Sequence, residues 1–178
     1  MLEKKCEQRE FMNKEDRLVW LMDEYGDDIA RLVFSYTKQK QLAEDIAQEV
    51  FIKCYENLDQ FRNQSTYKTW LYRIAINLCK DKLRSWPFRN IVVTEFFGKT
   101  RSAGNSPELE LAGKENKRVI SEAILTLPVK HREVIILYYY EEMSYKHIAD
   151  LLHIRLQTVK SRLHRARILL KKELEGSV

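Results

Sequence analysis

Between Phe61 and Trp86 the sequence reads FRNQSTYKTWLYRIAINLCKDKLRSW, and its apolar residues recur at the spacing of a single helical face. At about 3.6 residues per turn Tyr67, Leu71, Ile74, Ala75, Leu78 and Cys79 line up on one side. Trp70, Arg73, Asn77, Lys80 and Arg84 line up on another. This second face offers cations for phosphates, an amide that can read a base edge and a ring on which a base can stack. A short polar loop, Arg62-Asn63-Gln64, precedes the helix, with Ser65 placed as its N-cap. Taken alone, the same pattern also describes an ordinary amphipathic helix with a solvated basic side.

Other elements must cover the apolar face. Five glycines and three prolines in 178 residues leave room for long helices and few tight turns, so the expected class is all-α. The length suits one large domain or two small ones, and 44% hydrophobic with 32% charged residues is the composition of a chain that folds. The formal net charge of +5 agrees with an acidic partner, but its distribution says more. Residues 23–60 carry nine acids against four bases, whereas 61–86 carry six bases against Asp81 alone. From His153 to Lys172 there are seven Lys and Arg and no acid. Two basic blocks so far apart suggest two nucleic-acid contacts on one chain.

Cys6, Cys54 and Cys79 are scattered, with no CxxC pair. Cys54 and Cys79 fall on apolar helical faces and read as small core residues in a reducing compartment. The four histidines lack metal-ligand spacing, and no cofactor is expected. The N-terminus is too polar for a signal peptide, and no apolar run approaches the roughly 18 residues of a membrane span. The expected location is cytoplasmic, with no membrane insertion of its own.

In chain order, Leu18, Leu21, Met22, Tyr25, Ile29, Leu32, Val33 and Tyr36 recur at helical spacing, with Gly26 placed to bend or break the run. A polar turn follows at 38–41. Leu42 to Leu58 is a clean amphipathic helix with Ala43, Ile46, Ala47, Val50, Cys54 and Leu58 inward. Its outward stripe, Asp45, Gln48, Glu49, Ile52 and Glu56, is acidic yet contains an apolar residue. It reads either as a solvated face or as a docking surface centred near Ile52. Residues 87–113 hold two of the three prolines and three of the five glycines, which marks a linker. Its apolar run IVVTEFF (91–97) fits packing back on a domain or lying in a partner's groove.

A second helical unit starts near Lys114. Val119, Ile120, Ala123, Ile124 and Leu127 form a short helix, and Pro128 opens the next, which carries Val134, Ile135, Leu137 and Tyr138 to about 141. Ser144 is placed to cap SYKHIADLL, whose Ile148, Ala149 and Leu152 point inward. After a three-residue turn comes a long basic helix with Val159, Leu163, Ala166 and Leu170 inward. Two helices so closely joined fit a helix-turn-helix. Lys160, Ser161, His164 and Arg165 lie opposite the buried stripe, where base edges are read, and Arg162 and Arg167 flank them for phosphates.

DIAQEVFIKCYENLDQF, TYKTWLYRIAINLCKDKLR and SYKHIADLLHIRLQTVKSRLHRAR together resemble bacterial RNA polymerase sigma factors of the extracytoplasmic-function type, group 4 of the sigma-70 family. The resemblance runs from about residue 15 to 172. It implies region 2 over 15–86, a flexible linker over 87–113 and the region 4 helix-turn-helix over 114–175. The implied function is an alternative sigma factor that binds core RNA polymerase and directs promoter-specific transcription initiation. Asp45, Gln48 and Glu49, with Ile52, would dock on the clamp helices of the β′ subunit. Phe61, the loop with Asn63, Tyr67, Trp70, Ile74 and Asn77 would melt and read the −10 element around a flipped-out base, while Arg73, Lys80 and Arg84 hold the backbone. Lys160, Ser161, His164 and Arg165 would read the −35 element, with Arg155, Thr158, Arg162 and Arg167 beside them. Region 4 would also touch the β flap, and an anti-sigma factor is an expected partner.

Two residues depart from the family pattern. His153 stands where the turn usually has Gly, a substitution costing on the order of 1 kcal/mol if φ is positive. Arg155 stands where a small N-cap is usual, which gives up roughly 1 kcal/mol of capping and sets a cation beside a positive helix end. The rival reading is a two-domain helix-turn-helix regulator that binds an operator without joining a polymerase. It leaves the 61–86 face and the acidic stripe without a task. No nucleophile motif, paired carboxylates or Gly-rich phosphate loop supports an enzyme.

Overall fold

The computed structural model describes residues 13–61, 65–85 and 118–176, and these contain helices and turns but no strand. In order they form α1 (Lys14–Thr37), α2 (Lys40–Asn57), a 3-10 turn (Leu58–Gln60) and α3 (Tyr67–Ser85). Then come α4 (118–126), α5 (Val129–Ile135) with a π-helical turn (Ile136–Tyr140), α6 (Tyr145–Leu152) and α7 (Leu156–Gly176). They fall into two compact units, one within Met1–Val33 and Gln41–Phe88, the other within Phe34–Lys40 and Arg89–Val178. Cys6, Asn63 and the linker with its IVVTEFF run lie outside the described residues.

In the first unit Leu21, Ile29, Leu32 and Val33 of α1 are buried, as are Ala43, Ile46, Val50, Phe51 and Cys54 of α2. Leu71, Tyr72, Ala75, Ile76, Leu78 and Cys79 of α3 complete this set. Each Leu or Ile fully buried contributes about 1.5–3 kcal/mol relative to exposure. That outweighs the cost of about 1 kcal/mol for Gly26, and α1 runs through it unbroken. Met22, expected inward, is 47% exposed, because Leu21 takes the core side at that turn. On α3 the buried face is wider than the spacing predicts: Tyr72 and Ile76 are fully inside, and Ile74 is half-exposed. Thr66, not Ser65, caps the helix, its Oγ1 accepting from the Thr69 N–H at 3.2 Å. Burial pushes the Cys54 and Cys79 thiols up to about 12, which leaves both as inert core groups.

In the second unit Pro128 opens α5, its carbonyl accepting from the His131 and Arg132 N–H groups. The buried Arg132 reaches back to the Leu125 carbonyl at the end of α4, satisfying an orphan acceptor there. The helix expected to continue to 141 changes character at Ile136, where Glu141 N–H donates to the Ile136 carbonyl at five-residue spacing. Ile136 and Leu137 stay buried, while Tyr139 and Tyr140 are exposed. Ser144 caps α6, accepting from the His147 N–H at 3.2 Å. His153 ends α6 in the left-handed region at φ 54° and ψ 47°, and Ile154 N–H closes the turn on the Ala149 carbonyl. Ile148, Ala149, Leu151 and Leu152 of α6 are buried, as are Val159, Leu163 and Ala166 of α7. This is a helix-turn-helix.

Candidate nucleic-acid interfaces

A polar-rimmed cavity of about 390 Å³ opens on the first unit where the end of α2 meets α3. Phe61, Trp70, Ile74 and Asn77 line it, four of the residues expected at the −10 element. The fold brings them together because Trp70, Ile74 and Asn77 share one stripe of α3 and the 3-10 turn delivers Phe61 against its first turn. Phe61 meets two rings: Tyr67 stacks on it at 4.4 Å and 23°, and Trp70 lies tilted to it at 5.0 Å and 37°. Tyr67 therefore backs Phe61 and does not line the cavity. It is braced in turn by Trp20, edge-on at 6.0 Å.

Lys53, Asn57, Gln60, Leu78 and Asp81 also line the cavity, and sequence reasoning missed them. Asp81 was legible four residues after Asn77 on the same stripe. Lys53 and Asn57 were not, since only the packing of α2 on α3 brings them there. Asn57 Nδ2 donates to the Lys53 carbonyl at 2.8 Å, which fixes the amide at the rim. Arg73, Lys80 and Arg84 occupy the next stripe of α3, outside the cavity, with Arg84 exposed and the other two half-exposed. Cations beside a recess are suited to a backbone whose base turns inward.

On α2 the expected outward stripe is outward. Asp45 and Gln48 are exposed, and Ile52 is 59% exposed at the centre of the face. Glu49 is half-buried and pairs with Lys82 of α3 at 3.3 Å. It is thus partly occupied within the unit.

On α7 Lys160, Ser161, His164 and Arg165 are all exposed, with Arg155 at the helix start and Thr158 half-exposed beside it. The Arg155 carbonyl accepts from the Thr158 and Val159 N–H groups, so this residue holds the cap position through its backbone alone. Ser161 Oγ donates to the Thr158 carbonyl at 3.0 Å. The two flanking arginines each have partners within the unit. Arg162 turns toward α5, with Nη1 2.7 Å from Oε1 of the buried Glu133. Arg167 donates from Nε to Tyr139 Oη at 2.9 Å and lies over the Tyr138 and Tyr139 rings at 5.9 and 5.6 Å. Beside it, Ile120, Ile124, Ile135 and Leu170 border an apolar groove of about 650 Å³.

Comparison with known proteins agrees with this architecture. Residues 21–86 match the sigma-70 region 2 family, and 117–170 match sigma-70 region 4. The chain is 37% identical to the ECF RNA polymerase sigma factor SigW of Bacillus subtilis over 168 residues, 90% of each chain. It is 31% identical to the ECF RNA polymerase sigma-E factor of Haemophilus influenzae over 163 residues, 87% of this chain and 86% of that one. Its fold is similar to that of CnrH, solved in complex with the cytosolic domain of CnrY, with TM-score 0.67 and 22% identity over 92% of this chain and 91% of that one. It is also similar to the sigma factor RpoE of Bartonella quintana, solved with the anti-sigma factor NepR, with TM-score 0.66 and 20% identity over 90% and 96%. With both regions in order and identity above 30% along nearly its whole length, the chain belongs to the extracytoplasmic-function sigma factors of the sigma-70 family, the alternative sigma factors that direct transcription initiation.

Proposed function

We propose that the chain binds core RNA polymerase, reads a −35 element with α7 and opens DNA at −10 by capturing one unstacked base in the α2–α3 cavity. The cavity is the observation that carries this reading. A base cannot be read on its pairing edge inside a duplex, so a −10 reader needs a recess that receives it after it leaves the stack. Unstacking costs a few kcal/mol, and stacking on an aromatic ring returns about 1–3 kcal/mol per base. Phe61 and Trp70 supply rings, and Asn77 supplies a donor and an acceptor. Arg73, Lys80 and Arg84 hold the displaced backbone without regard to sequence. In this reading the polymerase performs the chemistry, and the chain works as a directing subunit in the cytoplasm, not as an enzyme.

The domains assigned to these tasks are region 2 over 15–86 and region 4 over 114–175, joined by 87–113. Asp45, Gln48 and Ile52 dock on the β′ clamp helices, and region 4 meets the β flap. An anti-sigma factor is the natural restraint on such a chain; RpoE of Bartonella quintana was solved bound to one. The test is promoter opening by holoenzyme. Phe61→Ala with Asn77→Ala should leave core binding and −35 recognition intact but abolish permanganate-detectable opening at −10. A template already mismatched there should rescue opening but not base preference. Normal opening of a fully paired promoter by the double variant would place the base elsewhere. A chain that binds a promoter equally well without core polymerase would favour the operator-binding regulator.

A further inference from the structure

Glu133 is 4% exposed and sits on α5, the helix behind the helix-turn-helix. Its Oε1 accepts from Arg162 Nη1 at 2.7 Å, across 29 residues of sequence, while its Oε2 accepts from Tyr36 Oη at 2.8 Å. Arg162 is thus its charged partner and Tyr36 a neutral one. Two residues earlier on α5, His131 Nδ1 lies 3.3 Å from the Arg162 carbonyl, so in its Nδ1–H form it donates there. One residue of α7 is therefore held twice from α5, by its guanidinium and by its backbone. Arg162 sits between Ser161 and His164, on the helix whose exposed face carries Lys160 and Arg165. A guanidinium committed to an interior carboxylate is poorly placed to neutralise a phosphate, and the pair has a different use. A carboxylate this buried is costly without a charged partner, so the pair favours one register and roll of α7 over its neighbours.

We infer that Glu133 and Arg162 form a positioning pair that sets the roll and depth of α7 for base reading, and that Arg162 is not a phosphate contact. The inference rests on the proposed role of α7 at the −35 element. Its energetic logic is that base-edge hydrogen bonds weaken steeply with misalignment, while phosphate attraction tolerates a small rotation. Loss of the pair should therefore remove discrimination and leave non-specific binding largely untouched.

The test uses holoenzyme assembled from the full chain and core polymerase. It is titrated over a salt series with a promoter duplex recovered by run-off transcription from a genomic library, and with an unrelated duplex. Arg162→Gln and Glu133→Gln should each weaken promoter binding about tenfold, and the double variant should be no worse than either single one. Binding to the unrelated duplex and the slope of log K against log salt should stay at wild-type values. A slope reduced by about one in Arg162→Gln would make Arg162 a phosphate contact and overturn the pair's role, as would additive losses in the double variant. If Glu133→Gln fails to fold, the slope of Arg162→Gln decides alone, since Arg162 is on the surface side of the pair. Arg165→Ala is run in parallel. If it leaves promoter binding unchanged, the reading of α7 falls and this role of the pair with it. If it weakens promoter binding while Arg162→Gln lowers the slope, only the pair's role is lost.

Discussion

At φ 54° and ψ 47°, His153 holds the turn between α6 and α7 where a Cβ crowds the following carbonyl oxygen. Glycine would remove a steric cost of about 1–2 kcal/mol and add about 0.4–1 kcal/mol of freedom to the unfolded chain. His153→Gly is thus expected to stabilise the second unit by up to about 1 kcal/mol in denaturant melts. A loss of stability would show that the imidazole makes a contact worth more than the strain. His131 gives a prediction of the opposite kind. Burial, the largest cause, lowers its pKa below the ordinary 6.5, and the neighbouring Lys130, Arg162 and Arg165 charges act in the same direction, while its hydrogen bond to the Arg162 backbone opposes them. A histidine with a depressed folded pKa stabilises the fold in its neutral form. That contribution is full above pH 6.5 and is lost as pH falls below it. Melting temperature should decline on acidification below that point, and His131→Gln should flatten the decline. Equal slopes for wild type and variant would remove His131 as the cause.

At the scale of the element, α7 separates two kinds of contact. Arg165→Ala should cost roughly 1–3 kcal/mol at one base position and relax preference there, because a bidentate reader is lost. Arg155→Ala should weaken binding to every sequence alike and lower the salt slope by about one, because a phosphate partner is lost. A binding series with the assignments exchanged would mean that α7 is rolled relative to this reading. The sequence makes the exposed face of α7 legible, since period and charge coincide there. Ser144 is legible for the same reason, standing one residue before an apolar-periodic run. The inward turn of Arg162 is not, because its partner is 29 residues away and only the packing of α5 on α7 joins them. The π-helical turn at Ile136–Tyr140 is equally hidden. Its apolar residues continue a helical period, and the extra residue per turn leaves no mark in composition. The burial of Tyr72 and Ile76 is hidden as well, because a single-face pattern assumes one neighbour, whereas α3 is covered on a broader arc.

At the scale of the whole molecule, the proposed function gives each unit both a DNA contact and a polymerase contact, and it assigns the β′ contact to the exposed face of α2. Asp45, Gln48 and Ile52 are exposed on one side of this helix, while Ala43, Ile46, Val50 and Cys54 on the other side are buried. Charge at the exposed positions can therefore change without touching the core, and surface substitutions of this kind usually alter stability by no more than about 0.5 kcal/mol. Gln41 Nε2 lies 3.3 Å from Asp45 Oδ1, an exposed contact whose loss falls within that margin. Asp45→Arg and Gln48→Lys should each reduce affinity for core polymerase by slowing association and by opposing a basic partner surface. Circular dichroism and melting should stay near wild type. Glu49→Ala should have a smaller effect on core binding, because part of its charge is already met by Lys82 at 3.3 Å. Ile52→Ser should lower affinity with little change in the salt dependence, since it removes apolar contact at the centre of the face and no charge. Competition between labelled wild-type chain and each variant for core polymerase, repeated at two salt concentrations, measures all four. Wild-type affinity in both charge variants would take the docking surface off α2, and a uniform loss with falling melting temperature would trace the defect to folding instead.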